Sequence, residues 1–290
     1  MSVVLQAALT AGVPALFSGL IWLLGGYIAP LTRFRGLLSP VAVGGGYLLA
    51  HDFVHGRPPF PPTDATHWLF YFALTGIVLG WLAELPADYR WLWGAVTLLV
   101  LSWTMVLGFK PLIQSGSWMP VNGTQIIVIL TVATWLLVVL VAPNGEQEQG
   151  AGLPFLLAAL GGLSAGLIFY NKSASLGQLA GSLGAIMGIG VLIGWWRRTF
   201  RLGRGAVSLA LILMALLWAM AYGYAELPAH SLALLYLAGF SLALTRLKPF
   251  MRLHPMARFL LRFALLLALV GIPLWLSFQA YMATQSEYPY

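Results

Sequence analysis

Ten apolar stretches of about 18–25 residues fill this 290-residue chain, and little lies between them. Because lipid cannot hydrogen-bond a bare backbone, chains that cross it form helices or closed barrels. The stretches have the length of helices that cross a bilayer, and they lack the alternating polarity of barrel strands. Only 8% of the residues are charged, against about 25% in soluble domains. The sequence therefore predicts an all-α, polytopic transmembrane helix bundle of about ten spans, forming one integral membrane domain over residues 1–290.

The second span is the weakest of the ten, because it is short, contains Pro40 and includes Gly44-Gly45-Gly46. A broken or partly inserted helix is the alternative there. The first stretch is read as a retained helix, since its first cations follow the apolar run and do not precede it. The predicted spans are Val4–Ala29, Leu37–Ala50, His67–Ala83, Arg90–Phe109, Thr124–Ala142, Leu153–Tyr170, Ser175–Trp196, Ala206–Tyr224, Ser231–Thr245 and Phe259–Tyr281.

Basic residues are distributed unevenly over the nine loops that ten spans create. Even-numbered loops hold only Arg57, Lys110 and Lys172. By the positive-inside rule the odd-numbered loops are cytoplasmic, so both termini and the tail Met282–Tyr290 are non-cytoplasmic. Short loops and the lack of cysteine favour a bacterial inner membrane. The cations of the odd loops and their margins are Arg33, Arg35, Arg90, Arg197, Arg198, Arg201, Arg204, Arg246, Lys248, Arg252, Arg258 and Arg262.

The segment Ala-Glu-Leu-Pro-Ala occurs twice, at Ala83–Ala87 and at Ala225–Ala229, 142 positions apart. That offset is close to half the chain and carries the first five spans roughly onto the last five. Five is odd, so halves 1–145 and 146–290 would form an inverted repeat, as in many secondary transporters. In length and span count the layout resembles five-plus-five permeases such as the drug/metabolite transporters, although no motif of that family is present. The alternative is a chance match in an alanine- and leucine-rich chain.

A histidine-rich segment follows the second span and is expected to face outward. His51 and His55 are four residues apart, so on a helix they share a face and can chelate a divalent metal. Asp52, Asp64 and His67 are candidates to complete that site, and a metal-bound water there would support hydrolysis. The alternative is that these groups are simply hydrated at the membrane boundary. Apart from this divalent metal, no cofactor is expected.

The seventh span is rich in glycine, and its polar residues lie at the outer end. Small residues at this spacing let helices approach closely in lipid, so we expect a central packing helix. Its glycines are Gly177, Gly181, Gly184, Gly188, Gly190 and Gly194. The candidate substrate-binding residues are Ser173, Ser175, Gln178 and the two motif carboxylates, Glu84 and Glu226. Hydroxyls and an amide predicted to line a midplane cavity are Thr75, Ser102, Thr131, Thr134, Ser164 and Gln178.

Three functions remain open, because no carboxylate lies deep in any span and no nucleotide-binding loop, nucleophile elbow or haem motif is present. The first is a carrier for a small neutral or weakly polar solute. The second is a non-catalytic subunit of a larger membrane complex, with the tail Glu287-Tyr288-Pro289-Tyr290 as a docking segment. The protein partners considered are other membrane subunits or a second copy of the chain, and the second copy would fit the carrier. The third is a metal-dependent enzyme at the outer interface. Nucleic acid is not an expected partner, because the cations sit beside spans, where they set topology.

Overall fold

The computed structural model describes residues 5–6, 8–27 and 32–286, and within them it is helical without any strand. Each predicted span overlaps one main helix. The ten main helices are α1 (Val13–Tyr27), α2 (Thr32–His55), α3 (Trp68–Ala83), α4 (Arg90–Gln114), α5 (Pro120–Val141), α6 (Gly152–Tyr170), α7 (Ala174–Trp196), α8 (Arg204–Tyr224), α9 (Ala229–Ser241) and α10 (Pro255–Ser286). A π-helical turn, Ala8–Gly12, precedes α1, and short helical turns lie at Ala87–Tyr89, Asn144–Gln147, Leu242–Arg246 and Lys248–Met251.

Eight of these segments are long and apolar enough to cross a membrane. The other two helices, α3 with 16 residues and α9 with 13, are shorter. The molecule therefore has the character of a multi-pass membrane protein. The tail predicted to begin at Met282 is wrong in part, since α10 continues to Ser286; residues 287–290, which include the proposed docking segment, lie outside the described residues.

The second predicted span is neither short nor broken, because α2 runs without interruption through Pro40 and the three glycines to His55. Tertiary packing explains why these helix-weakening residues are tolerated. A Cβ on Gly80 of α3 would lie 2.6 Å from Cβ of Pro40, so the proline ring packs directly against the backbone of α3 at this glycine. A Cβ on Gly45 would lie 2.7 Å from the ring of Phe17, so the lack of side chains admits α1.

Helix α8 occupies the centre of the bundle. Every residue from Arg204 to Ala221 is buried, as expected for a helix that is apolar on all sides. It packs against α2, α3, α5, α7 and α9. Helix α7 packs chiefly on α6 and also on α1, α2 and α8, while α8 is the more deeply buried of the two.

Loops, numbered by the helix they follow, gather at two ends of the bundle. At the odd-loop end Arg90 pairs with Glu146 at 3.5 Å, and the amide of Gly150 donates to the carbonyl of Phe200 at 2.8 Å. At the even-loop end Lys172 pairs with Glu226 at 2.6 Å. Helices α4 to α8 therefore alternate in direction between these ends.

Candidate functional site

A column of polar side chains runs along one face of α2. Tyr47, His51 and His55 are spaced four residues apart, so they lie one above the other on the helix. Tyr47 and His51 are fully buried, and His55 is half-buried near the even-loop end. We call these three residues the polar column.

Each member of the polar column holds a buried polar atom without a hydrogen-bond partner. These atoms are Oη of Tyr47, Nδ1 of His51 and Nε2 of His55. The imidazole centroids of the two histidines are 5.1 Å apart. About 90% or more of the buried polar groups in proteins have a hydrogen-bond partner. Three unpaired atoms along one helix face therefore mark the column as a place where a polar solute can form hydrogen bonds.

The column reaches the middle of a membrane-length segment. Tyr47 lies eight residues from His55, which corresponds to about 12 Å along the helix. It is near the midpoint of the apolar segment Gly36–His55. Polar groups at this depth are costly in lipid and are usually functional.

The mouth of the column is held by the turn that precedes α3. Oδ1 of Asp64 accepts the N–H of Thr66 at 2.8 Å and the Thr66 hydroxyl at 3.1 Å. The backbone hydrogen bond holds the pKa of Asp64 below its usual value. The carbonyl oxygen of Thr66 then lies 3.2 Å from Nε2 of His51, while the ring of Phe70 makes an edge contact with this imidazole. Loop 2 therefore orients His51.

Of the five residues predicted to bind a metal, the structure places the imidazoles of His51 and His55 in contact, with their centroids 5.1 Å apart, whereas Asp64 bonds to Thr66. Asp52 pairs instead with Arg57 at 3.7 Å, and Nδ1 of His67 lies 3.3 Å from the hydroxyl of Thr63. In the described part of the chain no group of three or more His, Cys, Asp or Glu residues is arranged to hold a metal ion. Helix α2 continues past the predicted end of the span at Ala50 to His55, so His51 and Asp52 are helical, and His51 is completely buried.

The two motif carboxylates lie at opposite ends of α8. Oε1 of Glu84 accepts the N–H of Gly205 at 2.7 Å, in the first turn of α8. Glu226 follows the last residues of α8 and pairs with Lys172. Burial raises the pKa of Glu84, and the hydrogen bond from Gly205 opposes this. One substrate site cannot contain both carboxylates.

Arg204 begins α8 at the odd-loop end and is almost fully buried. Its guanidinium lies over the ring of Trp93, 4.9 Å from the centroid, and its Nε and Nη1 have no hydrogen-bond partner. A desolvated cation over an aromatic face gains about 2 kcal/mol or more. This contact anchors the central helix to α4.

The remaining candidate binding residues of α7 lie at the even-loop end. Oγ of Ser173 accepts the N–H of Leu176 at 3.4 Å, which makes it the N-cap of the helix. Ser175 and Gln178 are half-buried in the first turns, and the Gln178 carbonyl accepts the hydroxyl of Ser182 at 2.8 Å. Ser173 adjoins Lys172 and therefore Glu226, away from Glu84.

The glycines of α7 differ in their surroundings. A Cβ on Gly177, Gly184 or Gly194 would lie 2.6–3.0 Å from backbone atoms of α6 or the loop before it. A Cβ on Gly181 would lie 3.5 Å from Cβ of Ala165, and one on Gly190 would lie 3.4 Å from the ring of Trp22. Gly188 has no atom within 4 Å of such a Cβ. The first three glycines are therefore the ones that close backbone packing requires.

The groups predicted to line one midplane cavity do not converge. Ser102 and Thr131 line a groove between α4 and α5. Thr134 and Ser164 are buried and satisfied, the first by Tyr236 at 2.8 Å and the second by Trp218 at 3.0 Å. Thr75 is exposed and bonds to its own helix. Tyr47 was missed from the sequence, although its spacing of four and eight residues from His51 and His55 was the available signal.

Comparison of the chain with protein families, with curated proteins and with solved structures finds no match. The function is therefore argued from the arrangement of its own residues.

Proposed function

We propose that this chain is a carrier for a small neutral or weakly polar solute, built from two inverted halves, residues 1–145 and 146–290. The observation that carries the proposal is the match of helix positions under a shift of 142 residues. The starts of α1 to α5, so shifted, fall within seven residues of the starts of α6 to α10. The ends of α1, α2 and α3 fall within one residue of the ends of α6, α7 and α8.

The two Ala-Glu-Leu-Pro-Ala segments support inversion as well as repetition. Glu84 contacts the N-terminal turn of α8, whereas Glu226 follows its C-terminal end. A 21-residue helix is about 31 Å long, so the segments are separated by roughly the thickness of the hydrocarbon core. A motif repeated at opposite ends is expected of halves with opposite orientation.

The two short helices are compatible with ten crossings. Helix α9 begins at the even-loop end and runs on into the turn Leu242–Arg246. The amide of Asn144, in loop 5, donates to the carbonyl of Leu242 at 2.8 Å. That contact supports a chain that passes from the even-loop to the odd-loop end within this segment. Helix α3, at 16 residues, is about 24 Å long and needs local thinning of the bilayer.

The polar column is the site that we assign to the solute. It lies on α2, which packs against its repeat partner α7 and against α3 and α8, and carriers of this type bind solutes where their halves meet. The column supplies one phenol and two imidazoles, and the carboxylates nearest to it, Asp52 and Asp64, are bound to Arg57 and to Thr66. These groups suit a solute that accepts or donates hydrogen bonds without a full charge.

Uptake by liposomes containing the purified protein tests this proposal. An isotopically labelled bacterial metabolite extract is added outside, and the trapped solutes are measured by mass spectrometry. We expect one chemical class to accumulate above protein-free liposomes. The variant Tyr47→Phe removes one hydroxyl, and the loss of about 0.5–1.5 kcal/mol of hydrogen bonding weakens apparent affinity about 2- to 12-fold.

The matched control is Tyr170→Phe, at the end of α6, where the ring packs on Phe278. It is expected to leave uptake unchanged. Absence of any enriched solute with folded wild-type protein would argue against a carrier. Equal losses in both variants would remove the polar column from the site.

The chain has no cysteine, so orientation in a bacterial inner membrane can be tested with single-cysteine variants of the otherwise unaltered sequence. Ala87 and Ala229 end the two repeated segments, and both are exposed. If odd loops are cytoplasmic, an impermeant maleimide added to intact spheroplasts labels Ala229→Cys and not Ala87→Cys. Labelling of both variants, or of neither with protein that reacts after lysis, would contradict the inverted arrangement.

A further inference from the structure

A groove of about 420 Å³ lies between α4 and α5 on the outside of the bundle. Its lining is mainly apolar and includes Leu98, Val106 and Val128. Lys110, Gln114 and Thr124 line it towards the even-loop end. Since only α4 and α5 form its walls, the groove is separate from the polar column on α2.

The depth of this groove follows from positions along α4. Arg90 and Lys110 are twenty positions apart, or about 30 Å, which equals the thickness of the hydrocarbon core. Lys110 therefore lies at the boundary with the headgroups of the even-loop leaflet. Leu98 is twelve positions away, about 18 Å deeper, which slightly exceeds the roughly 15 Å depth of one leaflet.

The charge at the mouth is available to a ligand. Lys110 is exposed, and among the residues that the structure describes no carboxylate pairs with it. Lys172, at the same end of the bundle, is by contrast held by Glu226. The groove thus combines a cation at headgroup level with an apolar trough one leaflet deep.

We propose that this groove binds one acyl chain of an anionic phospholipid from the even-loop leaflet, with the lipid phosphate against Lys110. An acyl chain matches the trough in both length and polarity, and the unpaired lysine favours a headgroup with a net negative charge over a zwitterionic one. The proposal stands apart from the solute site, because it uses different helices.

A substitution at Thr131 distinguishes an acyl chain from a polar solute as the ligand of the groove. Thr131 lines the deep part of the groove, and its hydroxyl is buried and has no hydrogen-bond partner. An acyl chain cannot bond to it, so Thr131→Val, which replaces the hydroxyl with a methyl group, preserves or tightens lipid binding. A polar solute in the same groove would lose affinity in that variant.

Native mass spectrometry of the purified protein, titrated with phosphatidylglycerol or phosphatidylcholine of identical acyl chains, tests the proposal. The wild type is expected to retain one phosphatidylglycerol about fivefold more tightly than phosphatidylcholine, the effect of one basic residue at an anionic surface. Lys110→Gln removes that preference, whereas the control Lys172→Gln keeps it. Val128→Trp fills the exposed trough and weakens binding of both lipids.

Equal retention of both lipids by the wild type would overturn the assignment of an anionic headgroup. Binding to Val128→Trp as tight as to the wild type would show that the lipid lies elsewhere. Weaker retention of phosphatidylglycerol by folded Thr131→Val than by the wild type would contradict an acyl chain at this position and would favour a ligand that bonds to the hydroxyl. Melting temperatures of all variants, recorded in the same detergent, show that each one is folded.

Discussion

The crossing of α6 and α7 offers a quantitative test, because two glycines of α7 one turn apart have opposite surroundings. A Cβ on Gly184 would lie 2.9 Å from the amide nitrogen of Gly162 and 3.1 Å from the carbonyl oxygen of Ala158. These are backbone atoms, which cannot rotate away. A Cβ on Gly188 would meet nothing within 4 Å.

The two alanine substitutions therefore share one energetic effect and differ in another. Each raises helix propensity by about 1 kcal/mol. Gly184→Ala also forces the helices apart, and such overpacking costs about 1–3 kcal/mol. We expect Gly188→Ala to be more stable than the wild type, and Gly184→Ala to be about 1–3 kcal/mol less stable than Gly188→Ala.

Unfolding in mixed micelles of rising sodium dodecyl sulfate content, followed by circular dichroism, measures the free energies of unfolding. The difference between the two variants cancels the propensity gain and isolates the packing contribution. Equal stabilities would refute the reasoning, since they would mean that α6 and α7 do not approach at Gly184 as described.

Three further predictions concern polar groups. Burial raises the folded pKa of Glu84 above its unfolded value, so the stability that this group contributes is complete below the unfolded pKa and is lost as pH rises through the folded pKa. Between pH 4 and 8 the melting temperature of the wild type should therefore fall relative to that of Glu84→Gln. Parallel curves for the two proteins would contradict this. Tyr236→Phe leaves the buried Thr134 hydroxyl without its partner and should lower the free energy of unfolding by about 1–3 kcal/mol. Tyr47→Phe removes a hydroxyl that has no partner and should leave the free energy of unfolding unchanged. The same micelle titration compares the two variants, and equal destabilisation would refute the distinction. Glu226→Gln should change stability by less than about 1 kcal/mol, because both side chains of its pair with Lys172 are 74% exposed; a larger loss would show that the pair is structural.

Helix positions could be predicted from the sequence because apolar length is a local property. The prediction was least successful at α2, where Pro40 and the glycines reduce local helix preference. Those residues serve the packing of α2 against α1, α3 and α8, and such long-range contacts cannot be read from a single segment. Helix α8 shows the same limit, since its apolar stretch resembles the others although, among the helices that the structure describes, it alone is buried on every side.

The candidate site was only partly accessible to sequence reasoning. Spacing predicted that His51 and His55 share a face, but local polarity ended the predicted span at Ala50, which put His51 outside. His51 is covered by the turn at Thr66 and by the ring of Phe70, which belong to the loop before α3 and to α3 itself. Glu84 and Glu226 occupy identical five-residue segments, and only the tertiary structure distinguishes a buried acceptor at α8 from an exposed ion pair.

Distances between spin labels at the two ends of the bundle test the carrier proposal most directly. Arg57→Cys with Ala229→Cys reports on the even-loop end, and Ala87→Cys with Arg198→Cys reports on the odd-loop end; each pair joins the two halves. A carrier with inverted halves is expected to show two distance populations at each end, shifting in opposite senses when the transported solutes are added. One narrow distance at both ends, unchanged by any solute mixture, would contradict alternating access.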